Sequence, residues 1–172
     1  GLPPFATPPT VGNLDGDSFI YPAGAGATTV DQGALATVTD ADSTDFDGGN
    51  LTATITSGDG AEVILSLDTS GTISLPSGTT VGSNVSVGGT VVGTLGISIG
   101  LSFDLIVIFN VDATPARVQT LVQAITYENF DTGAPTIGAR NVRVTVNDGD
   151  YGGTSANNDI SLTITGQNDA PT

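Results

Sequence analysis

The sequence predicts an all-β sandwich with one short helix. Three observations carry that prediction. Apolar and polar residues alternate in many short runs separated by turn residues, the pattern of half-buried strands. Gly, Thr, Val, Ser and Asp dominate the composition, and strong helix formers are scarce. One segment alone changes period from two to about 3.6.

The alternating runs come in order along the chain. Ala36-Val38, Leu51-Ala53-Ile55 and Val63-Leu65-Leu67 come first, then Ile73-Leu75, Val85-Val87 and Ile97-Ile99-Leu101-Phe103. Val142-Val144-Val146 and Ile160-Leu162-Ile164 close the series. Leu105 to Phe109 is apolar at every position, which predicts a strand covered on both faces or lying under the helix. The helix is expected over about 115–124. Thr114 followed by Pro115 is a cap-then-proline start, and Val118, Leu121, Val122 and Ile125 form one apolar stripe. That stripe is read as core packing.

The chain reads as one module with a linker at each end. Four of its nine prolines fall in residues 1–10, an extended linker or an expression remnant. Residues 11–167 carry the strand pattern, and 168–172 form a second linker. The absence of Met points to a fragment excised from a longer chain. No repeat is evident inside it.

Hydrophobic residues make up 38% of the 172, enough for a folded core. Eighteen acids face three bases, all Arg, giving a net charge of −15. That balance excludes a basic nucleic-acid footprint and disfavours anionic membranes. No apolar run approaches the roughly 18 residues of a membrane helix, so no membrane insertion is expected. Without Cys there is no disulfide framework. The absence of His, Cys and Lys removes the common general base, thiol nucleophiles, Schiff bases and usual zinc sites. A carboxylate pair remains, but with sixteen Asp some pair at catalytic spacing is close to inevitable. The chain is therefore read as non-catalytic.

The acids are concentrated. Asp40, Asp42, Asp45 and Asp47 fall within eight residues with no base among them. Like charges at that density repel unless a cation neutralises them, and oxygen-only ligands suit a hard ion such as Ca²⁺. The loop is not an EF-hand, because Asp45 stands where that loop needs Gly and Leu51 where it needs Glu. Asn147-Asp148-Gly149-Asp150 is a second candidate, with Asp148 the better ligand and Asp150 balanced between metal and turn chemistry. Asp15 and Asp17 read first as turn residues, as does Asp68. Arg140 and Arg143 fall on opposite strand faces, and either is expected to pair with an acid such as Glu128 or Asp131.

Several of these motifs, in their order, resemble those of cadherin repeats. Val38-Thr39-Asp40-Ala41-Asp42 leading to Gly49-Asn50 resembles A-x-D-x-D-x-G-x-N with residues inserted before the Gly. Ile125-Thr126-Tyr127-Glu128 resembles L-D-Y-E, and Val144-Thr145-Val146-Asn147-Asp148-Gly149 resembles A-x-D-x-G at a strand end. Asn168-Asp169-Ala170-Pro171 resembles the D-x-N-D-N-x-P linker, shortened by one residue and without its first Asp. With Asn13-Leu14-Asp15-Gly16-Asp17-Ser18 near the start, nearly the full length is similar to the longer bacterial cadherin-like repeat of large repetitive adhesins and RTX-type secreted proteins. The acidic residue expected after the first linker is missing, with Tyr21-Pro22-Ala23-Gly24 in its place.

That resemblance implies a Greek-key β-sandwich with Ca²⁺ at the junctions between repeats. Asp40, Asp42 and Asp148 would sit at one end of the sandwich, and Glu128, Asn168 and Asp169 at the other. Asp45 and Asp47 are extra to that pattern and are read as ligands of a site inside the domain, with Asp150 as a further metal candidate. The implied partners are neighbouring repeats of the same chain, with cell-surface glycans or proteins as further candidates. The implied location is extracellular or on a bacterial surface, and the excised module is expected to be monomeric. The alternative is a Ca²⁺-dependent carbohydrate- or peptide-binding module, including one accessory to a secreted polysaccharide-degrading enzyme, with Tyr151 as the aromatic beside the ion.

Overall fold

The computed structural model describes residues 6–58 and 61–166. Among them the chain runs through β1 (Thr10–Gly12), β2 (Ser18–Pro22), β3 (Thr28–Thr29), β4 (Thr37–Thr39), β5 (Asn50–Ser57), β6 (Val63–Leu67) and β7 (Ile73–Ser74). It continues through β8 (Asn84–Val87), β9 (Thr90–Leu95), β10 (Leu105–Phe109), α1 (Pro115–Gln123), β11 (Ile125–Asn129), β12 (Gly138–Asn147) and β13 (Asn158–Thr165).

The strands form a large sheet of order β2-β13-β12-β5-β10-β9-β8-β7, a small sheet β3-β11-β6, and the pair β1-β4. Pairing is antiparallel except between β2 and β13. The chain crosses from β5 in the large sheet to β6 in the small one, and from β11 back to β12. It thereby sets β12 beside β5 and β11 beside β6, the Greek-key connection. β7 to β10 extend the large sheet beyond β5.

One hydrophobic core draws on both sheets. Leu51, Ala53, Val107, Val144, Val146, Ile160 and Leu162 come from the large sheet, and Val63, Leu65, Ile125 and Tyr127 from the small one. Alternation is clean in β6, buried at Val63, Leu65 and Leu67, and in β12, buried at each even position from Arg140 to Val146. Thr114 caps α1, accepting the Arg117 N–H, and Pro115 opens it. Val118, Leu121 and Val122 turn inward, as the period predicts.

Two expected elements differ. Ile97 to Phe103 is not a strand. Its donors go to scattered partners, Ile99 N–H to the Thr79 carbonyl and Phe103 N–H to that of Gly100, and Ser102 takes a left-handed φ of 67°. Alternation persists there, but no neighbouring strand offers a ladder. β10 is apolar throughout yet only one face is covered, because Leu105, Val107 and Phe109 are buried while Ile108 is 48% exposed. The helix lies beside β4 instead, where Gln119 Oε1 accepts the Val38 N–H and Gln123 Nε2 donates to the Ala36 carbonyl.

The termini of this fold lie at opposite ends. β13 begins at Asn158, opposite Val144, and reaches Ile164 opposite Gly138. Six residue steps at about 3.4 Å separate those ends by roughly 20 Å. The chain enters at the Val144 end, since Thr10 of β1 pairs with Thr39, next to the acidic loop.

Candidate metal centre

The β5–β12 register determines the site. Asn50 pairs with Asn147, so the 40–49 loop, just before β5, meets the 148–153 turn, just after β12. The approach is close enough that a Cβ at Gly49 would collide with the Asn147 carbonyl. Phe46 anchors the loop, fully buried and 6.2 Å from Phe109 between ring centroids.

Around this junction Asp40, Asp42 and Asp148 converge, each offering an oxygen within 4.8 Å of the others. Asp40 Oδ1 accepts the N–H groups of Asp42 and Ser43 at 3.0 and 2.8 Å, which folds the loop around its own carboxylate. Asp148 Oδ1 accepts the Asp150 N–H at 2.8 Å. The second oxygen of each, Asp40 Oδ2 and Asp148 Oδ2, is buried with no hydrogen-bond donor. Asp148 is 2% exposed. Burial pushes its carboxyl above the ordinary value, and the neighbouring Asp40 and Asp150 charges add to that. Gly153 makes the room, because a Cβ there would strike Asp148 Oδ1.

Asp42 sits at the exposed rim, where the Thr7 N–H donates to its Oδ2 at 2.9 Å and holds its carboxyl below the ordinary value. The entering segment therefore touches the cluster directly. A buried acceptor oxygen without a donor is costly, and two of them within one cluster of three carboxylates fit a hard cation. Asp40, Asp42 and Asp148 together could hold a hard cation.

The other expected ligands divide. Asp150 stands beside the cluster, its Oδ2 accepting the Ser43 hydroxyl at 3.0 Å. Asp45 and Asp47 do not join it. Asp45 Oδ1 accepts the Asp47 N–H in a local turn, and Asp47 is exposed. Glu128 lies far from the cluster in β11, paired opposite Ile64, in a shallow depression on the outer face with Thr29, Ser66 and Thr126. Asn168 and Asp169 fall outside the described residues. Asp68 is a turn residue as expected, its Oδ1 accepting the Ser70 N–H.

One of the two arginines makes the expected salt bridge, with Asp159 as its acid. Arg143 faces Asp159 across the β12–β13 ladder and grips it with two bonds, Nε to Oδ1 at 2.9 Å and Nη2 to Oδ2 at 3.1 Å. Arg140 is buried, 3% exposed, and its Nη2 donates to the Thr136 carbonyl rather than to Glu128 or Asp131.

Sequence reasoning missed a polar network at the exit end. Glu62 accepts from Asn129 Nδ2 and from both the N–H and hydroxyl of Thr136. Asn129 N–H in turn donates to the hydroxyl of Tyr21, whose ring meets Tyr127 edge-on with centroids 5.0 Å apart. No helix among the described residues is long and apolar enough to cross a membrane. No family model matches the chain, and no curated protein matches it.

Proposed function

We propose that the chain is a Ca²⁺-binding structural repeat of a large bacterial surface or secreted protein, an extender stiffened by calcium between successive copies. The observation that carries this reading is the pair of donorless buried oxygens on Asp40 and Asp148, set among three carboxylates where the chain enters the domain. The opposite placement of entry and exit supports it further. In a string of such domains, the exit of one copy meets the acidic end of the next. Asn168 and Asp169 of the preceding copy would then reach the cluster of the following one and raise its oxygen count toward the six to eight that Ca²⁺ takes.

The work proposed is mechanical, with no catalytic step. An ion shared by two domains restrains a short linker, because bending it would strip the carboxylates of their cation. The partners are neighbouring repeats, and the setting is extracellular, where calcium is at millimolar levels and such modules bind at about 10⁻⁴–10⁻³ M.

A tandem of two copies tests this. Small-angle scattering should show a longer, narrower range of shapes in calcium than in EDTA. The tandem should also bind more Ca²⁺ than two isolated copies. An unchanged maximum dimension would remove the mechanism. Tyr151, 82% exposed beside Asp150, favours one other reading, a ligand held partly by the ion. That reading predicts glycan binding lost in both EDTA and Tyr151→Ala.

A further inference from the structure

A second pair of carboxylates lies away from the cluster. Asn13 to Asp17 forms a tight turn, with Asn13 at φ 57°, Gly16 at φ 88° and the Asp17 N–H donating to the Leu14 carbonyl. The backbone of β13 holds this turn in place, since Gly16 N–H donates to the Asp159 carbonyl and Ser161 N–H to that of Asp17. A second loop, residues 31–36, folds against it. Asp17 Oδ2 accepts the Gln32 N–H at 2.8 Å, and Asn13 Nδ2 donates to the Leu35 carbonyl at 3.4 Å. Asp31 closes its own loop, its Oδ2 accepting the Ala36 N–H at 2.8 Å.

Gln32 directly follows Asp31, so the bond from its N–H sets the Asp17 carboxylate beside Asp31. Asp31 is only 9% exposed, and its Oδ1 is buried with no donor. Among the described residues no arginine supplies a counter-charge. Arg117 donates to the Asp112 carbonyl, Arg140 to that of Thr136, and Arg143 grips Asp159. A buried carboxylate beside a second one, with a bare oxygen and no arginine within the network, is an incomplete arrangement. Its donors are all hard oxygens, and its outer member is half-exposed to solvent.

We propose that Asp31 and Asp17 form a second calcium site, with Asp31 Oδ1 as the inner ligand and Asp17 on the solvent side, clipping the 13–17 turn to the 31–36 loop. Two carboxylates with water completing the shell make a weak site, with Kd about 10⁻⁴–10⁻³ M. This site belongs to a single domain and needs no neighbouring copy. It would stabilise the isolated domain itself, independently of the proposed junction between copies.

The test uses the whole chain with the first cluster neutralised as Asp40→Asn/Asp148→Asn, its fold checked by far-UV circular dichroism. Calcium titrated into that variant by calorimetry should still show one weak site, and millimolar Ca²⁺ should raise its melting temperature above that in EDTA. Adding Asp31→Asn should abolish both effects, and Asp17→Asn, on the accessible side, should weaken binding at least tenfold. Conversely, Asp31→Asn alone should remove one ion from the stoichiometry and leave the Asp40 site intact. If Asp40→Asn/Asp148→Asn binds no calcium while the unaltered chain does, the second site is overturned and the first stands. A melting temperature that responds equally to NaCl of matched ionic strength would reduce the effect to charge screening and overturn the site. So would a calcium-independent rise in melting temperature from pH 7 to pH 5 that Asp31→Asn removes, which would assign a shared proton to the pair.

Discussion

The two ends of β12 carry carboxylates in opposite conditions. At its start, Glu62 is complete: Asn129, the Thr136 N–H and the Thr136 hydroxyl occupy its oxygens, and Arg140 lies near enough to favour its charge. Those contacts, the Asn129 bond foremost, hold its carboxyl below the ordinary value. Just past the other end, Asp148 has one oxygen satisfied and one bare, with Asp40 and Asp150 as its charged neighbours. The same functional group is finished by the fold at one end and left unfinished at the other. A finished carboxylate is structure. An unfinished one, buried and facing others, specifies what must arrive from outside.

The largest effect should separate the two directly. At a hundredfold excess over its dissociation constant, calcium should stabilise the domain by about 2.7 kcal/mol per occupied site. Asp148→Asn should lose the contribution of the cluster yet melt no lower than the unaltered chain in EDTA, because the substitution relieves repulsion. Glu62→Gln should keep the full calcium response. Thermal melts in EDTA and in calcium would read both. If Glu62→Gln lost the response as Asp148→Asn does, the contrast between the ends would collapse into general screening of a highly acidic chain.

Arg140→Ala breaks the finished end. It removes a side chain that is only 3% exposed, with its packing and its bond to the Thr136 carbonyl, and should cost about 1–3 kcal/mol. The cost should be equal with and without calcium, measured by urea unfolding. A cost that vanished in calcium would mean the two ends are coupled through β12.

Much of this contrast could be read from the sequence, and the unread part has physical causes. Asp40, Asp42 and Asp148 were legible because each sits where a strand gives way to a turn. Bringing Asp148 to Asp40, 108 positions away, takes the β5–β12 register, which alternation supports without specifying. Asp45 and Asp47 show the limit of counting charges. A carboxylate can accept the backbone N–H two residues on, and here Asp45 accepts that of Asp47. Alternation read the ladder strands but overextended at 97–103, where the period continues without a partner strand. The Glu62 network had no local signature, since its contacts to Asn129 and Thr136 span 67 and 74 positions. Asp31 was hidden for a related reason. A single Asp in a loop carries no period, and only the fold shows its Oδ1 buried without a donor.

A smaller change sharpens the unfinished end without touching a ligand. Gly153 has an ordinary φ, so its value is spatial, leaving the volume that Asp148 Oδ1 occupies. Gly153→Ala should push Asp148 out of register with Asp40 and weaken calcium binding at least tenfold, about 1.4 kcal/mol, by calorimetry. The apo fold should change less, because Asp148 can swing toward solvent when no ion holds it.

The smallest effect belongs to a carboxylate between the two extremes. Asp159 is paired, like Glu62, yet its side chain is 37% exposed, and its Arg143 partner is 38% exposed. Arg143 first, then Asn141, hold the Asp159 carboxyl below its ordinary value. A carboxylate whose folded pKa is depressed contributes stability that is present above the unfolded pKa, about 3.9, and is lost as pH falls through the folded value. Solvent screening limits a pair this open to about 0.2–1 kcal/mol despite its two-bond geometry. A double-mutant cycle of Arg143→Ala and Asp159→Ala should return a coupling energy in that range at pH 7. The coupling should shrink in molar salt and disappear near pH 2, while Arg143 stays charged throughout. Coupling that persisted at pH 2 would mean the pair acts through packing across the β12–β13 ladder rather than through charge. Asp159 would then belong with the neutral ladder contacts, and only Glu62 would stand as the finished carboxylate against which Asp148 is measured.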